Sequence, residues 1–431
     1  MTRRPALLAM LFTSAAHAGG FGIPDIGVRR TGMAAVIGRP DEGAAIYHNP
    51  AGLVLQHGWH VYLSGGLFVV DTEFQLHQWD QSDRFLGVAA GADGYYAPVK
   101  PSRAMGVVPM LAMTGELIPD RLVVGAAVYV ANAQGAAFDA NGVTRYHLID
   151  GYVIAPQAVL AAAYRVTDTL TVGATGGVIN LRIHGRRDVY PIVNGSDIST
   201  LVGTKPEIVL DGSGWAPSWM VGVFGQPHPR VTWGATVTGR IDTTMSGPLT
   251  VKYSDDATAP DTLVGTQSTT QMMPWTFTAG ANVDVTPHLE IGAETHYWLY
   301  RQYKKQHTDV TGIFLVRQLE TTKNYHDSWQ VSGGLRVHDL AALPNLELMT
   351  GVHSDHTPAP ATTVTLDQPT FDHVGLHTGA RWTVGRYRLG ASYLHYWYDI
   401  PTVVGSTTSP PSNFRGHGTN NIFTLSIEAK L

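Results

Sequence analysis

The amino-acid sequence predicts an all-β protein, a fourteen-stranded antiparallel transmembrane β-barrel with an N-terminal hatch in its lumen, and three observations carry that expectation. Apolar and polar residues alternate in run after run, a short turn followed by apolar-x-apolar-Gly recurs along the chain, and beyond the N-terminus no apolar stretch is long enough to cross a bilayer as a helix. Inside a membrane every backbone N–H and C=O must find a partner within the protein, so a chain without spanning helices can cross only as a closed barrel.

Arg3 and Arg4 precede a short apolar run from Ala6 to Phe12, and Ala16-His17-Ala18 stands before Gly19. A basic start, an apolar middle and small residues at the end predict a cleaved secretory signal peptide over 1–18. The apolar run falls well short of the roughly 20 residues a spanning helix requires. An exported chain of this kind is either a soluble β-protein or an outer-membrane barrel of a Gram-negative cell, and its 431 residues could fill two domains or one large barrel. Only 15% of residues are charged, while 47 Gly, 18 Tyr and 10 Trp are plentiful, a composition that suits a barrel. With no cysteine, a disulfide framework and a thiolate metal site are both excluded, and a net charge of -5 without a basic cluster gives no sign of a nucleic-acid partner.

The turn-and-glycine motif appears at Leu122-Val123-Val124-Gly125, Leu170-Thr171-Val172-Gly173, Val231-Thr232-Trp233-Gly234, Leu289-Glu290-Ile291-Gly292 and Tyr387-Arg388-Leu389-Gly390, with a looser copy at Leu348-Met349-Thr350-Gly351. Another alternating run precedes each copy, so the repeated unit is strand, tight turn, strand, long polar loop. Short turns at one end and long loops at the other are the asymmetry of outer-membrane barrels, which a soluble sandwich has no physical reason to adopt. Alternating runs place strands near 59–73, 102–116, 121–131, 154–166, 169–184, 214–226, 230–243, 271–286, 288–303, 325–338, 345–356, 372–384, 386–399 and 419–431. Within them Val374, Leu376, Ala380 and Trp382 oppose His373, Gly375, His377, Gly379 and Arg381, though alternation alone does not say which face meets lipid. Trp275, Trp298, Trp329, Tyr297, Tyr393 and Trp397 lie near strand ends, where amphipathic rings suit the membrane interfaces.

Residues 19–58 lack sustained alternation and are rich in Gly and Ala, so they are expected to fold inside the 59–431 barrel as a plug rather than join its wall. Their motifs are Gly20-Phe21-Gly22-Ile23-Pro24, Gly32-Met33-Ala34-Ala35, and Ala44 to Leu53 with its Asn49-Pro50-Ala51-Gly52 box. These resemble the N-terminal hatch of the outer-membrane long-chain fatty acid and aromatic hydrocarbon transporters (OmpP1/FadL/TodX). The likeness continues through Pro119 to Tyr129, Arg165 to Asp168, Gly212 to Gly225 and Asn420-Asn421. The resemblance implies a monomeric channel, set among outer-membrane lipid and lipopolysaccharide. It would admit long-chain fatty acids or aromatic hydrocarbons passively, without a cofactor, and release them sideways into the membrane. In that family the third strand runs to a Pro-x-Gly near an inward kink; here Val130-Ala131-Asn132-Ala133-Gln134-Gly135 keeps the Gly without the Pro, and Asn132 and Gly135 mark where the kink is expected. The chain also ends on Leu431 where the family tends to end on Phe.

Both faces of the third strand are apolar, which would let a hydrophobic solute pass without losing its burial. Val123, Ala127 and Tyr129 are therefore expected to line its path, with Phe21 and Ile23 of the hatch touching or gating it, although packing of the strand against the hatch would use the same residues. Nineteen histidines raise the possibility of a metal site. Yet His373 and His377 lie about 13 Å apart along an extended strand, and His353, Asp355 and His356 are expected at a solvated loop. No Gly-x-Ser-x-Gly elbow supports the rival outer-membrane lipid hydrolase, and no catalytic residue or metal ligand is assigned.

Overall fold

The alternating runs form fourteen antiparallel strands in the computed structural model, which describes residues 22–79, 85–102, 105–193, 196–197, 206–252, 262–313 and 317–431. The signal-peptide expectation and Phe21 fall outside those residues. The strands are β1 Trp59–Leu76, β2 Met105–Ile118, β3 Leu122–Ala137, β4 Asp150–Thr167, β5 Leu170–Asp188 and β6 Glu207–His228. Four interrupted strands follow: β7 Val231–Thr238 resuming at Ile241–Lys252, β8 Thr262–Met273 resuming at Thr276–Thr286, β9 Leu289–Trp298 resuming at Lys305–Thr311, and β10 Gln318–Thr322 resuming at Ser328–Val337. The last four are β11 Leu346–Asp355, β12 Asp372–Val384, β13 Tyr387–Asp399 and β14 Phe414–Lys430. Each pairs with its sequence neighbour, and β1 pairs with β14 from His60 opposite Lys430 to Leu76 opposite Phe414, closing the cylinder. Closure satisfies the backbone without leaving an edge.

The structure decides which face meets lipid. Val374, Leu376 and Trp382 of β12 are exposed on the outside, while His373, His377 and Arg381 are buried in the lumen. Trp329, Tyr297 and Trp397 stand outward as the interface reading expects. Trp298 instead points inward and is buried, because it falls on the opposite parity of β9 from Tyr297.

Residues 22–58 fill the lumen with two short helices, α1 Val28–Met33 and α2 Ala45–His48, and a 3-10 turn over Pro50–Leu55. The recurring glycine of the strand motif is where the wall receives them. A Cβ at Gly173 would lie 2.3 Å from Ala51 N, at Gly234 2.2 Å from Ile37 O, and at Gly351 2.2 Å from Met33 O. At Gly125, Gly292 and Gly390 it would meet Ile46, Ala35 and Val28 at 2.9, 2.9 and 3.0 Å. The six copies of one motif thus form a ring of bare backbone on which the hatch sits. The repeat records both the hairpin and what the hairpin encloses.

Asn49 fits the same ring. Its Nδ2 donates to Ile37 O at 3.2 Å and to Val223 O at 3.0 Å, while its Oδ1 accepts from Ala51 N at 3.1 Å. Pro50 then starts the 3-10 turn, where its missing N–H costs nothing. Ala51 is fully buried, and Gly52 packs on Pro40, whose Cγ lies 2.0 Å from where a Cβ would be.

Candidate functional site

The floor of the lumen is ionic. Arg29, Arg39 and Asp41 of the hatch meet Asp284, Glu290, Arg336, Glu347 and Arg381 of the wall, with Arg39 bound to Asp284 at 2.8 Å and Arg381 to Asp41 at 2.7 Å. Arg29 also pairs with Glu290, which Arg336 and Arg39 share. Burial alone would raise the Asp41 carboxyl, but Arg29, Arg381 and Arg336 overcome it and hold the group well below the usual carboxylate range. Glu42 goes the other way: desolvation, opposed by Arg381 and assisted by Asp41, pushes it up to about 7. Buried charges are tolerable only when paired, so this network fixes the hatch in one position. Asp284, Glu290 and His338 could together approach a cation, yet Arg39 and Arg336 already neutralise those carboxylates.

A second anchor lies higher. Glu294 of β9 accepts from the hatch backbone at Val36 N, 2.5 Å, and Ile37 N, 2.9 Å, and pairs with Arg30. Arg30 in turn donates to Asp25 at 3.1 Å and to Ala34 O at 2.5 Å, and Asp25 receives the Tyr396 hydroxyl. Beside this anchor stand the histidines. His353 lies between His373 and His377, with ring centroids 5.0 and 4.9 Å away, because β11 and β12 are neighbours. His353 and Asp355 are buried lumen residues rather than solvated loop residues, which corrects the sequence expectation. Only His356 reaches the loop, facing Asp372 at 3.1 Å.

Above the anchors is a partly open chamber of about 140 Å³. Gly22, Pro24, Ile37, Tyr47 and His48 of the hatch form its base, and Tyr129, Ala131 and Asn132 of β3 form one wall. The facing wall comes from β5 to β9, with Ile179, Met220, Ile241, Met273 and Trp298 contributing apolar surface. Among the described residues, no lysine or arginine lines the chamber. Burial drives the His48 imidazole down to about 4, so it is neutral at pH 7, and its Nε2 lies 2.7 Å from Ile26 O. The chamber can therefore enclose an uncharged solute without offering a carboxylate its counter-ion.

The β3 wall departs from the cylinder. Its ladder with β2 ends at Met110 opposite Tyr129, and its ladder with β4 shifts register between Val130 and Asn132. From Tyr129 to Asn132 four successive residues are buried, so both faces of the strand are covered and the period of two is lost. The bulge turns Ala131 O inward to accept from Ile23 N at 3.2 Å, and Asn132 Nδ2 reaches Met273 S on β8 at 3.4 Å. Pro109, opposite the first unpaired β3 residue, has no N–H to offer.

Of the residues expected to line the path, Tyr129 stands in the chamber wall, its ring edge-on to Tyr47 at 5.2 Å. Ile23, Val123 and Ala127 are buried but lie outside the chamber lining; Val123 and Ala127 belong to the core that includes Ile46 of α2. Asn132 lines the chamber, whereas Gly135 lets β3 approach β4, with Gly151 O 2.6 Å from where a Cβ would be. The facing residues on β5 to β9 could not be found by reading single strands, because strand order and tilt bring them together.

A family model described as outer membrane protein transport protein (OMPP1/FadL/TodX) matches residues 9–426. Among solved structures, the chain is similar to a Pseudomonas aeruginosa FadL homologue, with a TM-score of 0.77 at 14% identity over 95% of this chain and 99% of that one. The Pseudomonas putida toluene transporter TodX gives a TM-score of 0.69 at 17% identity over 95% and 99%. The Ralstonia pickettii toluene transporter TbuX gives 0.66 at 16% over 95% and 98%. At these identities the likeness is one of fold. Comparison with curated proteins gives no match.

Proposed function

The chain belongs to the outer-membrane transport protein family OMPP1/FadL/TodX, whose members are channels for hydrophobic compounds, and on that premise we propose that it is a passive uptake channel for small uncharged hydrophobic molecules of monoaromatic size. The chamber carries this reading. Its volume of about 140 Å³ is close to the roughly 150 Å³ of an apolar protein cavity that holds benzene. A long-chain fatty acid, the other solute the family resemblance implies, is too long to be enclosed there, and its carboxylate would find no lysine or arginine in the lining.

The ionic floor is a poor path for such a solute, since passage would break buried ion pairs without offering apolar contact. Sideways release past β3 fits the geometry better: the β2–β3 ladder is open above Met110 and Tyr129, next to the chamber wall. Ile23, hydrogen-bonded to the bulge, would couple a solute to that opening, and Phe21, two positions earlier in the sequence, would share that role. No energy source is needed, because the membrane is a sink for an apolar molecule. Uptake of labelled toluene and oleate into cells producing only this channel separates the readings. Toluene uptake well above that of oleate is the expected result, and oleate alone would restore the fatty-acid reading.

A further inference from the structure

The wall has another interruption, between β6 and β7, where β6 is three strands round the barrel from β3. Between β6 and β7 the ladder runs from His228 opposite Val231 up to Met220 opposite Thr238, and resumes only at Ser213 opposite Ser246. Apart from Gly239 N–H to Trp219 O at 3.2 Å, no ladder pair joins 214–219 to 239–245 among the described residues. Pro217 withholds an N–H inside this stretch, and β7 itself breaks at Gly239–Arg240. The strands on either side stay fully paired: β6 with β5, and Ile241–Lys252 with β8. The defect is therefore one seam, not a frayed region.

The chamber reaches this seam. Its lining includes Ser218 and Met220 from the lumen face of β6, but also Trp219 from the outer face, 42% exposed. Trp219 and Gly239, joined by the bond from Gly239 N–H to Trp219 O, both line the chamber and so bring it to this breach in the pairing. Trp219 lies across the breach in a fitted seat: a Cβ at Gly239 would come within 2.4 Å of its Cε2 and 2.5 Å of its Nε1, and the Trp275 ring stands edge-on at 5.5 Å. Outside, Val221 lies below the seam and the exposed Arg240–Asp242 pair, 2.7 Å, lies within it. That change from apolar to charged surface sets the seam at the outer membrane interface.

We infer that the β6–β7 seam is a second lateral portal of the chamber, with Trp219 as its flap, opening to the outer leaflet independently of β3. The inference rests on the channel reading for its solute but not for its geometry. Hydrophobic solute in the chamber displaces the indole from Gly239 and leaves between the unpaired strands, a step that separates no continuous ladder.

The chain has no cysteine, so the test can be made with introduced thiols alone. Continuing the upper register places Pro217 opposite Asp242, and both are exposed. Pro217→Cys with Asp242→Cys, bridged by a short reducible bis-thiol reagent, is expected to lower toluene uptake about twofold, with recovery on reduction. The same bridge across Pro109→Cys and Val130→Cys closes the β3 exit and is expected to lower uptake in part as well, with the loss complete only when both bridges are present. The reduced protein is its own folding control. Unchanged uptake with β6–β7 bridged, and loss with β2–β3 bridged, would overturn the portal. If the unbridged protein does not take up toluene, the channel reading fails instead, and a separate measurement decides the portal: labelling of Ser218→Cys by a lipid-soluble maleimide should rise at least threefold with Trp219→Ala. No rise refutes it.

Discussion

Replacing Glu294 by Ala should release the hatch. Glu294 is buried on β9 and holds four groups: Val36 N and Ile37 N at 2.5 and 2.9 Å, Arg30, and His296 Nε2 at 2.9 Å. Removing one partner of a buried ion pair costs about 3–5 kcal/mol. Each buried amide left without an acceptor adds about 1–3 kcal/mol. These terms share one site and do not add fully, so about 5 kcal/mol is a fair lower estimate. At about 1.4 kcal/mol per factor of ten, the undocked population should rise by more than a thousandfold. Barrel closure does not depend on this residue's side chain, since β9 keeps its ladders with β8 and β10. Purified Glu294→Ala protein should therefore insert into planar bilayers and show larger, noisier ion conductance than the parent, with the segment around Val36 open to protease. Arg30→Met added to it should cost much less than Arg30→Met alone. Parent-like conductance and protease resistance in Glu294→Ala would show that the hatch is held by packing and not by this anchor.

The glycine ring gives a matched pair. Gly173→Val should unseat the hatch or block assembly, because the clash is with backbone at Ala51, whereas Gly176→Val on the same strand meets nothing within 4 Å and should be neutral; heat-modifiability on gels and protease sensitivity read both. Filling the chamber by Thr175→Phe should reduce toluene uptake about tenfold, as expected for about 1–3 kcal/mol of overpacking, without loss of folded barrel. Hatch docking should also depend on pH through Glu42, whose carboxyl is raised to about 7 in place. The protonated form is favoured by docking, so its contribution is complete below the undocked value near 4.5 and lost as pH rises through about 7. Asp41, held low, contributes steadily above its undocked value and loses that only in acid below it. Hydrogen-exchange protection factors of the hatch, corrected for the intrinsic base-catalysed rise in amide exchange, should thus be higher at pH 5 than at pH 8, and Glu42→Gln should remove the difference.

The sequence by itself determined the strands, the division of each into two faces and the presence of a plug, but not which face meets lipid. Period-two alternation is a local property, so a run such as Val374 to Trp382 reveals its two faces without knowledge of its neighbours. Chain order was legible for the same reason: short turns force successive strands to pair. What alternation could not reveal was anything that depends on two strands at once. His373 and His377 look isolated along β12 until His353 of β11 comes between them. The recurring glycine reads as a hairpin mark until Ala51, Ile37 and Met33 are seen lying against it. Val123 and Ala127 have the same inward parity as Tyr129, yet of the three only Tyr129, whose ring meets Tyr47 of α2, lies at the level of the chamber and lines it. Tertiary structure alone decided the chamber, the bulge at Ala131 and the β6–β7 seam, because a break in pairing belongs to a pair of strands and leaves no period in either one.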